Sequence, residues 1–92
     1  GVVPAGWGLL SAHPNPFNGV VRLVFGLPGS SRVRLRAYDT SGRLVADLLE
    51  GDLVAGRHAV VWDAGGLSSG VYVVRLECAG RRTDAAKLVL VR

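Results

Sequence analysis

The sequence predicts an all-β fold, an antiparallel β-sandwich of about seven strands, and three observations carry that expectation. Short stretches rich in Val and Leu alternate apolar and polar residues with period two, the pattern of half-buried strands. Thirteen glycines punctuate those stretches at short intervals. Nothing in between carries the 3.6-residue period of a long helix, so the strand-and-helix alternation of a nucleotide-binding α/β fold is not expected.

A short opening strand is predicted around Trp7–Ala12. His13-Pro14-Asn15-Pro16-Phe17-Asn18-Gly19 follows as a fixed loop, because two prolines remove backbone donors and restrict the residues before them, and Phe17 is expected to cap it from the core. In Val20–Leu27, Val21, Leu23, Phe25 and Leu27 share one face. Pro28 to Ser31 supplies a turn, and Arg32–Tyr38 then places Val33, Leu35 and Ala37 inward with Arg32, Arg34 and Arg36 outward. Asp39 to Gly42 makes the next turn, with Gly42 available for a positive φ. Arg43–Glu50 reads as a strand whose Leu44, Val45, Leu48 and Leu49 fit no single period, which predicts a bulge or a bend. Gly51 to Gly56 is read as a loop. Arg57–Asp63 sets His58, Val60 and Trp62 on one side, with Trp62 as a core anchor. Ala64 to Gly70 is a loop, Val71–Cys78 puts Tyr72, Val74, Leu76 and Cys78 inward, Ala79 to Arg82 turns, and Asp84–Arg92 closes the sequence with Ala86, Leu88 and Leu90 on the core side. Seven strands at such spacing are the sign of a sandwich of immunoglobulin-like type.

A chain of 92 residues, 49% apolar and 20% charged, supports one core and hence a single domain over 1–92. The start at Gly1 rather than Met suggests a piece of a longer protein. Eleven Lys and Arg stand against seven Asp and Glu, a net charge of +4. The arginines are spread along several strands and no aromatic-and-basic cluster occurs, so no nucleic-acid partner is expected. Cys78 is the single cysteine, which excludes an internal disulfide and is read as a small core residue. No apolar run is long enough for a transmembrane segment, and no signal peptide opens the sequence.

The residues offer little for catalysis. His13 and His58 with Ser11, Ser68, Ser69 and Asp63 make no nucleophile–base–orienter set: His58 is in phase with Val60 and Trp62, and His13 sits in the proline loop. The carboxylates fall in turns or on outward phases, unlike the facing pair of a glycosidase. Asp63 is positioned to accept N–H bonds from the Gly65-Gly66 loop and hold that turn closed. A calcium site using Asp63, Asp39 and loop carbonyls remains an alternative, without the regular acidic spacing of a strong calcium loop. No enzyme activity, cofactor or metal is expected.

Five motifs occur in order: Asn15-Pro16-Phe17-Asn18, then Val33-x-Leu35-x-x-Tyr38-Asp39-x-x-Gly42-Arg43-x-Val45-x-x-Leu48, then Ala55-Gly56-x-His58-x-Val60-x-Trp62-Asp63, then Ser69-Gly70-Val71-Tyr72, and last Lys87-Leu88-Val89-Leu90-Val91. The ordered set resembles the C-terminal sorting domains of the type IX secretion system, the type A, Por-like family. It is also similar to the immunoglobulin-like domain of the flagellar hook-capping protein. The resemblance implies a seven-stranded sandwich at the end of a secreted or cell-surface protein, an upstream catalytic or adhesive domain in the same chain, and the outer-membrane secretion machinery as partner. It marks Lys87, Leu88, Val89, Leu90, Val91 and Arg92 as the sorting signal. An exposed or removable last strand would suit recognition by strand addition. The competing expectation is an accessory polysaccharide-binding module or a structural spacer, and the former would need exposed aromatic platforms.

Overall fold

The computed structural model describes residues 7–79 and 82–92, with the backbone alone at Leu10. It contains β1 (Gly8–His13), β2 (Val20–Leu27), β3 (Ser31–Asp39), β4 (Leu44–Leu53), β5 (Gly56–Asp63), β6 (Gly70–Cys78) and β7 (Arg82–Leu90). All pairings between these strands are antiparallel, in a three-stranded sheet of order β1-β2-β5 and a four-stranded sheet of order β4-β3-β6-β7. The fold is the expected immunoglobulin-like sandwich. β4 stays beside β3 rather than joining the other sheet, because the tight Asp39–Arg43 turn makes the two a hairpin. Among the described residues no helix is long and apolar enough to cross a membrane.

The alternation read from the sequence becomes the core. Val21, Leu23, Phe25 and Leu27 of one sheet meet Val33, Leu35, Ala37, Val74, Leu76, Leu88 and Leu90 of the other, all fully buried. Trp62 lies between Phe17 and Tyr72, with ring centroids 5.8 and 5.9 Å away. The Tyr72 hydroxyl donates to the carbonyl of Ser68, four residues upstream, at 2.7 Å. That back-bond at the start of β6 is the tyrosine corner of immunoglobulin-like sandwiches, a role for Tyr72 beyond the burial expected from its phase.

β4 obeys neither strand nor helix period because it carries two bulges. Leu35 faces Leu49 and Arg36 faces Asp47, leaving Leu48 extra; Ala37 faces Ala46 and Tyr38 faces Leu44, leaving Val45 extra. The slips let Val45, Ala46, Leu48 and Leu49 all pack against the core while Leu44 stays 42% exposed.

Several boundaries differ from the sequence expectation. Gly51 to Leu53 extend β4, and Gly56 opens β5, so the expected six-residue loop shrinks to Val54 and Ala55. The apolar pattern misses this extension because Gly51 and Asp52 carry no inward apolar signal, although their backbones pair with Val33 and Arg32. β7 begins at Arg82, where the sequence pattern places a turn, and ends at Leu90, so Val91 and Arg92 lie beyond it. The other turn residues, Gly80 and Arg81, lie outside the described residues. Trp7 precedes β1 instead of opening it. Cys78, the last residue of β6, is half-buried at the rim of the core and donates its thiol to Ser31 Oγ.

The β3–β4 turn is held by one carboxylate. Asp39 Oδ1 accepts from the Ser41 amide at 2.9 Å, the Ser41 hydroxyl at 2.6 Å and the Arg43 amide at 3.0 Å, while Gly42 takes φ +88°. The Ser41 hydroxyl first, then the Arg43 amide, hold the Asp39 carboxyl below the usual aspartate range. A carboxyl that titrates lower when folded adds stability above its unfolded value, near pH 4, and that contribution vanishes as pH falls through the folded value. A pH titration followed by NMR is therefore expected to show the Ser41 and Arg43 amides moving together with a midpoint below 4. A midpoint at or above 4 would contradict this bonding.

Candidate functional site

Lys87 to Arg92 splits into two sets by strand alternation. Leu88 and Leu90 point into the core, at 0% and 1% exposure, whereas Lys87, Val89 and Val91 point out, Val91 to 53%. β7 is an edge strand, as expected of a closing segment. Its outer edge, however, is covered. The Phe17 amide donates to the Val89 carbonyl and the Val91 amide to the Phe17 carbonyl, both at 2.8 Å. The Asn15 side chain supplies the next rung as a backbone amide would: its Oδ1 accepts from the Val89 amide at 3.0 Å and its Nδ2 donates to the Lys87 carbonyl at 3.1 Å. Asn15-Pro16-Phe17 thus stands in for a further strand, pairing with Leu90 through a parallel bridge. Phe17 pins it, 2% exposed against Trp62, while Asn15, Pro16 and Asn18 lie at the surface.

The other half of the β7 edge is guarded by Asp84, whose Oδ2 accepts from the Leu9 amide at 2.8 Å and Oδ1 from the Ala85 amide at 2.9 Å. Gly8 makes room for this: at φ +104°, a Cβ there would sit 2.5 Å from Asp84 Oδ2. The expected edge therefore exists, but as built it has no free ladder groups between Lys87 and Val91 for an incoming strand.

Beyond β7 the chain end is tied down as well. The Arg92 amide donates to Ser69 Oγ at 3.0 Å, and its guanidinium donates to the carbonyls of Gly65 and Leu67, the latter at 2.8 Å. Asp63, at the other end of that loop, accepts from the Gly65 amide at 2.9 Å, the closing bond its position in the sequence foretold. Gly70 ends the loop by opening β6. Arg92 thus acts on a loop some 25 residues away in sequence, which no local pattern could announce.

The remaining sequence candidates are structural in placement. His58 stacks on Phe25 at 5.5 Å and bonds the Val54 carbonyl through Nε2 at 2.7 Å, an arrangement that requires the proton on Nε2. His13 ends β1 with its ring at the surface. Phe17, Phe25, Trp62 and Tyr72 are buried; Trp7 and Tyr38 are half-buried, and the Arg82 guanidinium lies 5.6 Å over the Trp7 ring. Among the described residues no three His, Cys, Asp or Glu side chains gather as a metal site requires.

The arginines of β3 form a cross-strand ladder rather than a binding stripe. Arg36 meets Asp47 at 2.6 Å, Arg32 meets Glu50 and Asp52 at 3.5 Å, and Arg34 lies between Glu50 and Glu77. Exposed pairs of this kind contribute little stability each, but they neutralise that half of the sheet. Lys87, the only lysine in the sequence, has no carboxylate within 4.0 Å among the described residues.

Comparison with the curated proteins and with the solved structures returns no match. A family model described as "Secretion system C-terminal sorting domain" matches residues 11–91, from β1 through the last outward side chain of the terminal segment. That span takes in all five ordered motifs. The chain belongs to the family of secretion-system C-terminal sorting domains, the type IX sorting family that its motifs resemble.

Proposed function

We propose that residues 1–92 form a single non-catalytic sorting domain that directs an attached secreted protein through the outer membrane to the cell surface, with Lys87–Arg92 as the segment read by the secretion machinery. The family match over residues 11–91 carries this reading. The partners are then the outer-membrane translocation apparatus and, in the same chain, an upstream catalytic or adhesive domain. Support for the assignment of the terminal segment comes from Lys87, Val89 and Val91, whose side chains face outward although the strand itself is part of the sandwich. A polysaccharide-binding module has less to draw on, since four of the six aromatic rings lie in the core.

Removing Val89–Arg92 is a poor test, because it also takes Leu90 from the core and both backbone partners of Phe17. Substituting only the outward set, Lys87→Glu with Val89→Thr and Val91→Thr in the full-length protein, leaves the core side untouched. The expected result is a protein that folds but stays inside the cell envelope, measured by protease accessibility on intact cells. Unchanged surface delivery of the triple variant would end the assignment of Lys87–Arg92.

A further inference from the structure

With the β7 edge occupied by Asn15 and Phe17, a receptor meeting the folded domain has side chains to read rather than backbone. Those side chains do not end at the terminal strand. By register, Lys87 lies beside Val73, Val73 beside Tyr38 and Tyr38 beside Leu44, one row across the whole four-stranded sheet; Val71 and Val89 form the next row. Leu44 is 42% and Val71 37% exposed, and a shallow depression opens beside Tyr38 and Val73, lined also by Asp39, Thr40, Gly42 and Arg75. The outer face of this sheet is thus divided. One half carries the Arg32, Arg34 and Arg36 ion pairs, as a solvated face should; the other half, beyond Arg75 with its own pair to Glu77 at 3.7 Å, is mainly apolar and has no covering element among the described residues.

Charge indicates what covers it. Lys87 stands at the margin of the apolar half without an acidic partner among the described residues, and the acid of the β3–β4 turn, Asp39, already has its oxygens engaged by Ser41 and Arg43. The domain as a whole is at +4. We propose that the surface formed by Tyr38, Leu44, Val71, Val73, Lys87 and Val89 is the docking face for a protein partner that is apolar at its centre and acidic at its rim. This rests on the sorting reading and enlarges it: the signal is a patch drawn from β3, β4, β6 and β7, of which the terminal segment supplies one border. Apolar contact holds the centre, and the unpaired lysine fixes orientation.

The test uses positions outside Lys87–Arg92. Leu44→Lys with Val71→Lys in the full-length protein is expected to lower surface delivery at least tenfold while the domain keeps its resistance to limited proteolysis. Leu44→Thr with Val71→Thr, which retains strand propensity, serves if the lysine pair fails to fold, with a smaller loss in the same direction expected. Val20→Lys with Val61→Lys, on the outer face of the other sheet at 48% and 64% exposure, is the matched control and is expected to stay within twofold of the parent. Unchanged delivery of a folded Leu44/Val71 variant, or equal losses for both pairs, would overturn the docking face. If that happens while the outward triple at Lys87, Val89 and Val91 still blocks delivery, only the enlarged patch falls; if the triple also exports normally, the assignment of Lys87–Arg92 falls with it.

Discussion

Phe17→Ala is expected to destabilise the domain by about 3–5 kcal/mol, the range for truncating a buried phenylalanine that leaves a cavity behind. The ring is 2% exposed and forms the outer member of the Phe17–Trp62–Tyr72 aromatic cluster, so its loss opens the core at the end where β7 terminates. The substitution also loosens the anchor of the segment that covers the β7 edge. Amide exchange at Val89 and Val91 is therefore expected to quicken beyond what the global loss of stability explains. Asn15→Ala is the milder companion: it keeps the ring and removes only the two side-chain bonds to Lys87 and Val89, worth about 1–2 kcal/mol together at ordinary net hydrogen-bond strength. Denaturant unfolding of the two variants checks the order, and a Phe17→Ala loss under about 1 kcal/mol would show that the ring does not wedge the loop in place. Exposed edge groups template association with other strands, so Phe17→Ala is also the variant expected to self-associate.

This loop illustrates what the sequence could and could not reveal. Two prolines beside an isolated phenylalanine announce a fixed loop with a buried cap, since proline restricts its own and the preceding residue and a lone large ring in such a segment has nowhere else to go. What the ring covers is a different matter. The bonds from Asn15 and Phe17 to Lys87, Val89 and Val91 join segments more than seventy residues apart, and no local propensity encodes such a pairing. The same holds for Arg92 on the Gly65 and Leu67 carbonyls. By contrast, the inward sets of β2 and β3, and of β6 as far as Leu76, are legible, because a period of two leaves one face for a core. β4 lay between these cases. Its phase conflict disclosed that a bulge exists, while the positions of the two slips depended on which residues of β3 stood opposite. The docking face was hidden for a related reason: Leu44, Tyr38, Val73 and Lys87 become neighbours only through register, and each alone reads as an ordinary strand residue.

Along the terminal segment, odd and even positions are expected to answer mutation in opposite ways. Leu88→Ala and Leu90→Ala should each cost about 2–5 kcal/mol, because both side chains are within 1% of complete burial and their removal leaves cavities between the sheets. Lys87→Ala and Val91→Ala, at exposed outward positions, should change stability by no more than about 0.5 kcal/mol. Export separates the sets again. If the machinery reads the folded patch, Leu90→Ala impairs surface delivery only in proportion to the unfolded fraction, and cooling to a temperature where the domain is folded restores it. Lys87→Glu, in contrast, impairs delivery at every temperature. The two responses are measured by following unfolding and surface protease accessibility on the same variants across temperature. Should Leu90→Ala block delivery from a domain that remains folded, the inward side chains must themselves be read. The segment would then have to leave the sandwich before recognition, which requires Phe17 to release Leu90 first and would make the cover on β7 the gate of the signal.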